Sequence, residues 1–185
     1  MADGREPNAP LTAPGIEVDA APGSRTATLR YFEPDGPFAA AVRAATGAAL
    51  PGPLGAALSS GAAGEGPLIL AWRSPTETLA LTDDAARHTR LAAALAPATG
   101  GCFVDLTGGL RVLRLRGERS ADLLARLGSD ALIPRLNESR PGRLAEVATV
   151  ALCVRPGETL LAVDRAYAAH LLDWIRATLA DWPGG

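Results

Sequence analysis

The chain has 185 residues, a hydrophobic fraction of 48%, a charged fraction of 21% and a formal net charge of −2. That length is enough for one domain with its own core, and the composition excludes an intrinsically disordered chain. All 18 basic residues are Arg, and their one local cluster, Arg111, Arg114, Arg116 and Arg119, is offset by Glu118 and Asp122; the basic stripe of a nucleic-acid binder is missing, so no nucleic-acid partner is expected.

Residues 1–24 are rich in Pro, Ala, Gly and acids and read as a flexible N-terminal arm, followed by a single duplicated α+β domain over residues 25–182. The first residues lack the basic start and apolar centre of a secretory signal. No run approaches the ~18 apolar residues of a membrane span. No membrane association is therefore expected, and the cytoplasm is the expected compartment. Order begins with Arg25-Thr-Ala-Thr-Leu-Arg-Tyr-Phe32, whose alternation predicts a half-buried strand. A short helix over 38–45 stops at Gly47, and the aperiodic Gly/Pro/Ala stretch 46–66 reads as a long surface loop. Leu68-Ile-Leu-Ala-Trp72 predicts a buried strand, Ser74-Pro75 a turn, and Glu77-Thr-Leu-Ala-Leu81 its hairpin partner. Asp83 or Asp84 can cap the next helix, which runs to about residue 95 and ends before Pro97. A strand over Cys102-Phe-Val-Asp-Leu106, the turn Thr107-Gly108-Gly109 and an alternating run over 110–115 follow. The helix predicted over 118–127 places Leu123, Leu124 and Leu127 on one face and closes at Gly128. A loop with Pro134 and Pro141-Gly142 leads to a strand over 144–154, the turn Pro156-Gly157 and a returning strand over 158–163. The last helix, 165–182, carries Tyr167, Leu171, Trp174, Ile175 and Trp182 at helical spacing, the pattern of a core face.

The sequence repeats itself. Glu77, Thr78, Leu79 and Asp83 stand at one constant offset from Glu158, Thr159, Leu160 and Asp164, and Leu91 is in register with Leu172. The order of predicted elements agrees on both sides. The expected fold is therefore α+β, two similar β-α-β-β-α halves sharing one core.

Few residues suggest chemistry. Cys102 and Cys153 sit in apolar runs and read as small buried hydrophobes. A zinc site needs more ligands at closer spacing, so no metal is expected. His88 and His170 lie on helices without Cys, His or carboxylate neighbours at ligand spacing, and no Ser stands in a nucleophile elbow. Thr107-Gly108-Gly109 joins two strands and opens no helix, so it reads as a hairpin turn and not as a phosphate loop. Asp105 is the one acid inside an apolar strand. It reads either as a cap for the turn at Thr107 or as a general acid/base or ligand anchor, with Arg111 and Arg143 as candidate partners. Glu77 and Glu158, symmetric in the repeat, read as structural. No catalytic residue is assigned.

Val104-Asp-Leu-Thr-Gly-Gly109, then Val112-Leu-Arg-Leu-Arg-Gly117 and Ala121-Asp-Leu-Leu124, resemble the gamma subunit of heterotetrameric sarcosine oxidase. Trp72-Arg-Ser-Pro-Thr-Glu77, Arg140-Pro-Gly142 and the ending Val163-Asp-Arg-Ala-Tyr-Ala-Ala-His-Leu-Leu-Asp-Trp174 extend the likeness over residues 65–182. The sequence departs from the family at Gly128-Ser-Asp-Ala-Leu-Ile-Pro134 and at Leu172, where the family has an aromatic. The resemblance implies a fold like the folate-binding domain of glycine-cleavage aminomethyltransferase. It also implies a non-catalytic accessory subunit, with no cofactor in this chain, docked on a large alpha subunit. The partner subunits of such complexes carry FAD, FMN, NAD and tetrahydrofolate and oxidise N-methyl amino acids. A second likeness, of Phe103-Val-Asp-Leu-Thr107 to the Phe-Asp-Val-Ser stretch of the aminomethyltransferases, implies a different role, a stand-alone tetrahydrofolate-binding or one-carbon-transfer protein. Asp105 would then be the folate-facing acid, and Asp105, Thr107 and Arg111 the ligand-binding set.

Overall fold

The computed structural model describes residues 9–21, 23–61 and 64–182. The strands are β1 (Leu11–Ala13), β2 (Ile16–Ala20), β3 (Arg25–Tyr31), β4 (Ala56–Ser59), β5 (Leu68–Ser74), β6 (Glu77–Thr82), β7 (Gly101–Asp105), β8 (Leu110–Arg116), β9 (Glu138–Leu144), β10 (Val147–Arg155) and β11 (Glu158–Asp164). The helices are α1 (Pro37–Thr46), α2 (Ala85–Leu95), α3 (Ser120–Leu127) and α4 (Arg165–Ala180), with a short 3-10 turn at Asp130–Leu132. A five-stranded sheet has the order β4-β5-β6-β3-β7, and a six-stranded sheet the order β1-β2-β8-β11-β10-β9.

Alternating side chains explain the layering. Ile69, Ala71, Leu79 and Leu81 of one sheet meet Val112, Val150, Leu152 and Leu160 of the other in a middle cluster. Their neighbours point the opposite way: Leu29, Leu68, Leu70 and Ala80 pack with Phe38, Val42, Leu91 and Leu95 of α1 and α2. Leu113, Leu115, Leu161 and Val163 pack likewise with Leu123, Leu124, Leu171 and Ile175 of α3 and α4. The strands are thus apolar on both faces, and three hydrophobic clusters stand where one shared core was expected.

The two sheets correspond strand by strand: β7-β3-β6-β5-β4 matches β2-β8-β11-β10-β9. Each half therefore has two strands more than the five elements predicted, its leading strand (β2 or β7) and β4 or β9. Each half also hands its leading strand to the other sheet. Strand β2 pairs with β8 (Val18 opposite Leu115), and β7 pairs with β3 (Phe103 opposite Leu29). The connections β2–β3 and β7–β8 consequently cross between the sheets side by side.

Several predicted elements need correction. The arm over 1–24 is not free along its length: residues 11–20 form a hairpin on β8, with Ile16 and Val18 buried. Two apolar residues amid Pro and Gly give too short a pattern to read, and the pairing comes from a strand almost a hundred residues away. Residues 1–8 lie outside the described residues. The hairpin is tied down at its turn, Pro14-Gly15. Pro14 O accepts from Trp182 Nε1 at 3.1 Å, and Gly15 O accepts from the Arg119 N–H at 3.1 Å. Gly117, at φ +112°, passes so close to the Gly15 carbonyl that a side chain would collide with it.

The loop over 46–66 contains β4, paired with β5 and anchored by Arg87 of α2. This buried guanidinium donates to Ser59 O at 2.9 Å, to Ser59 Oγ at 2.7 Å and to Gly66 O. Strand β9 contains Pro141, which the prediction placed in a loop; as the outermost strand of its sheet it can lack one N–H without breaking a ladder. Helix α4 ends at Ala180 and buries Leu171 and Ile175, and Trp182 just beyond it is buried too, but Tyr167 and Trp174 are 57% and 52% exposed, so the aromatic stripe is not wholly a core face. Cys153 is buried, whereas Cys102, on the edge strand β7, is exposed; both thiols are free.

The repeat also shifts by one residue. Asp164 caps α4, but its counterpart in the strand register, Asp83, does not cap α2. Asp84 does, accepting from the Arg87 N–H at 2.9 Å. From that point the structural offset is one shorter, so Leu91 corresponds to the fully buried Leu171 and not to Leu172.

Candidate functional site at the sheet crossover

Asp105 ends β7 and accepts from the backbone N–H of Thr107 at 2.8 Å, the turn-capping role. Its side chain remains 60% exposed. Partial burial pushes its pKa up, but hydrogen bonds from the Thr107 N–H and hydroxyl and the charges of His88 and Arg25 outweigh this and hold the carboxyl below the usual range. His88, buried on α2 against the edge of Phe103, brings Nε2 to 3.7 Å from Asp105 Oδ1. That is beyond hydrogen-bonding distance, and this nitrogen has no hydrogen-bond partner among the described residues.

Thr107 bridges the two crossovers: its hydroxyl accepts from the Thr26 N–H at 3.3 Å, while Leu106 N–H donates to Thr26 O at 2.8 Å. The Arg165 N–H donates to Gly109 O at 2.9 Å, which sets the start of α4 on the same turn. A cavity of about 240 Å³ lies at this junction, lined by Thr107, Arg111, Arg25 and Arg165 together with Ala21, Gly23 and Ser24. The structure thus brings two of the three predicted ligand-binding residues, Thr107 and Arg111, to one cavity. Asp105 is not on its wall. Arg143, the other candidate partner of Asp105, pairs instead with Glu146 at 3.5 Å. Reading the sequence missed Arg25 and Arg165, since nothing local distinguishes them from the other arginines.

A larger cavity, of about 550 Å³, lies away from these residues at the far end of β7, between Tyr31, Phe32, Thr76 and Cys102. Glu77 and Glu158 occupy matching positions and make matching ion pairs. Glu77 meets its cross-strand neighbour Arg30 at 2.8 Å and Arg73 at 3.8 Å; Glu158 meets its neighbour Arg116 at 3.8 Å and Arg155 at 3.4 Å. They hold strand pairs in register and form no carboxylate pair. Among the described residues no group of three or more His, Cys, Asp or Glu side chains could hold a metal ion. No described helix is long and apolar enough to cross a membrane.

Fold and site together define a two-sheet α+β protein whose halves exchange their leading strands. This is the fold of a chain of the heterotetrameric sarcosine oxidase from Corynebacterium sp. U-96, solved with pyrrole 2-carboxylate. The match has a TM-score of 0.78 and 21% identity, and covers 95% of this chain and 89% of that one. The glycine cleavage system aminomethyltransferase T from Bartonella henselae shares it with a TM-score of 0.66 and 14% identity over 87% of this chain. This chain spans only 45% of the aminomethyltransferase. No family model matches the sequence, and no curated protein sequence does.

Proposed function

We propose that the chain is a non-catalytic accessory subunit of a sarcosine-oxidase-type complex that oxidises N-methyl amino acids in the cytoplasm, docked on its large alpha subunit. The carrying observation is the extent of the match: nearly all of this chain lies on nearly all of a chain of the heterotetrameric enzyme, but on less than half of the aminomethyltransferase. On this reading FAD, FMN, NAD and tetrahydrofolate belong to the partner subunits. The exposed Tyr167 and Trp174 of α4 are the side chains best suited to an interface, because large aromatics contribute most to protein contacts. Purifying the tagged chain from its native cells tests this. Large flavin-bearing subunits should co-purify, visible as a yellow complex with flavin absorbance. A chain that emerges alone and colourless would refute the reading.

The second reading, a stand-alone tetrahydrofolate-binding or one-carbon-transfer protein using Asp105, draws on the fold shared with the aminomethyltransferase and on the exposed carboxylate beside His88. Titration of the isolated chain with tetrahydrofolate separates the two. Saturable binding lost in Asp105→Asn supports the second reading, and no binding removes it.

A further inference from the structure

We propose that the cleft between the two sheets at the start of α4 binds a small organic cation, an alkylammonium or alkylguanidinium group, through the carboxylate of Asp164. The internal repeat carries the argument, because it builds the same cleft twice and fills it once. Leu79 and Leu160 are repeat partners; Arg114 stands opposite Leu160 and Thr28 opposite Leu79, so Thr28 holds the place of Arg114. In the filled cleft the Arg114 guanidinium lies 3.7 Å from Asp83 and 3.4 Å from Glu158, and the space left is about 30 Å³. The open cleft is lined by Leu79, Val150, Ala162 and Asp164, which correspond to Leu160, Ile69, Leu81 and Asp83 of the filled one. Its volume is about 300 Å³, because a threonine is too short to occupy what an arginine does.

The charges of the two clefts are matched unequally as well. Arg73 of β5 lies on the wall of the open cleft, where it donates to the Thr28 hydroxyl at 3.3 Å and meets Glu77, the counterpart of Glu158, at 3.8 Å. Nothing does the same for Asp164, the counterpart of Asp83. Its Oδ1 accepts from the Ala166 N–H at 2.8 Å, and among the described residues it has no basic partner. The positive end of α4 would by itself attract an anion, but Asp164 already takes that N–H and sets a full negative charge there. A cation on Oδ2 makes the ionic contact that Arg114 makes in the other half, strengthened where it donates a hydrogen bond. The apolar floor of Leu79, Leu110, Val150 and Ala162 accepts a short alkyl stem, and the half-exposed Tyr167 ring at the rim offers a π face. The site consists of this chain's own residues, so failure of the accessory-subunit reading would leave it untouched.

The test is an amide chemical-shift titration of the isotope-labelled full-length chain with n-propylguanidinium and, separately, with n-butylammonium. Ionic strength is held fixed, sodium is the reference cation and n-butanol the uncharged control. One saturable site of roughly millimolar affinity is expected for at least one of the two cations. Its shifts should centre on Ala162, Asp164 and Tyr167, with a rise in melting temperature on binding. Preference for one cation identifies the group. Asp164→Asn keeps the cap, which asparagine serves equally well, and should weaken binding roughly tenfold, the loss expected for one charge-assisted contact. Thr28→Arg combined with Arg73→Val gives the open cleft the residues of the filled one and should abolish binding. If that double variant fails to fold, Asp164→Asn decides. Asp35→Asn, on the exposed turn before α1, should leave binding unchanged. No saturable site, equal binding of n-butanol, or affinity unaltered in Asp164→Asn would overturn the proposal.

Discussion

Asp105 shows how an acid in an apolar strand becomes affordable: it stands at the strand's end, half out in water, and its oxygen takes the free N–H of the turn. Asp84 and Glu138 are used the same way. Asp84 accepts from the N–H groups of Arg87 and Gly66, and Glu138 from the Arg135 N–H and the Arg140 guanidinium. All three carboxyls titrate below their ordinary values, Asp84 chiefly through the Arg87 N–H and Glu138 chiefly through the Arg135 N–H. A carboxyl depressed in the folded state adds stability that is complete above its unfolded value and disappears as pH falls through the folded one. The urea midpoint should therefore hold steady from neutrality to about pH 5 and decline below about pH 4, where free carboxyls titrate. Asp105→Asn should flatten part of that decline, because the amide still accepts from Thr107 but no longer titrates. A decline of unchanged steepness in the variant would show that Asp105 contributes nothing to it. The turn role of Asp105 was legible from its position before Thr107-Gly108-Gly109; its neighbour His88 was not, because α2 reaches it only through the packed sheet.

Helix α4 carries two kinds of large side chain that sequence spacing could not separate. Leu171 and Ile175 are fully buried, whereas Trp174 is half exposed with His170 at its edge, the ring centroids 6.5 Å apart. A 100°-wide stripe on a helix covers both groups, and where contact ends is decided by the elements packed beneath, α3, β1, β8 and β11. Leu171→Ala should cost about 2–5 kcal/mol in a urea denaturation series, the range for truncating a closely packed leucine. Trp174→Ala should change stability by no more than about 0.5 kcal/mol, as surface substitutions do. It should nonetheless reduce recovery of the flavin-bearing partners if this face is the interface. A large loss of stability in Trp174→Ala would place the ring in the core after all. The hairpins β5–β6 and β10–β11 were legible because each is local, two apolar runs around a short turn. The strands β1, β2, β4 and β9 were not. They lie at or beside sheet edges, where Pro and Gly are tolerated and only one flank needs to pair.

At the scale of the molecule, strand exchange makes each half incomplete without the other. Strand β8 receives hydrogen bonds from β2 on one side and β11 on the other, and the N-terminal hairpin is closed by Trp182 at the opposite end of the chain. Arg119 and Arg126 lie over the Trp182 ring at 4.4 and 5.0 Å and complete this seam. Removing residues 1–20 should therefore lower stability substantially. Exposure of the contacts of Ile16 and Val18 alone is worth about 1.5–3 kcal/mol per side chain, before the lost ladder bonds are counted. Calorimetry of the truncated chain should show a markedly lower or broadened transition. An unchanged transition would mean that the hairpin only decorates the sheet.

By itself the sequence determined what short-range physics controls: the four helices, the local hairpins β5–β6 and β10–β11, where tight turns fall, the repeated spacing around Glu77 and Glu158, and that Asp105 belongs to a turn. The order of the sheets, the exchange of leading strands, the one-residue shift between the halves and the meeting of Arg25, Arg111 and Arg165 were decided only in the tertiary structure. The reason is physical. Turns and periodicities are set by interactions within a few residues, while strand neighbours and crossovers are chosen by hydrogen-bond ladders and apolar contacts between segments as far apart as Glu17 and Arg116.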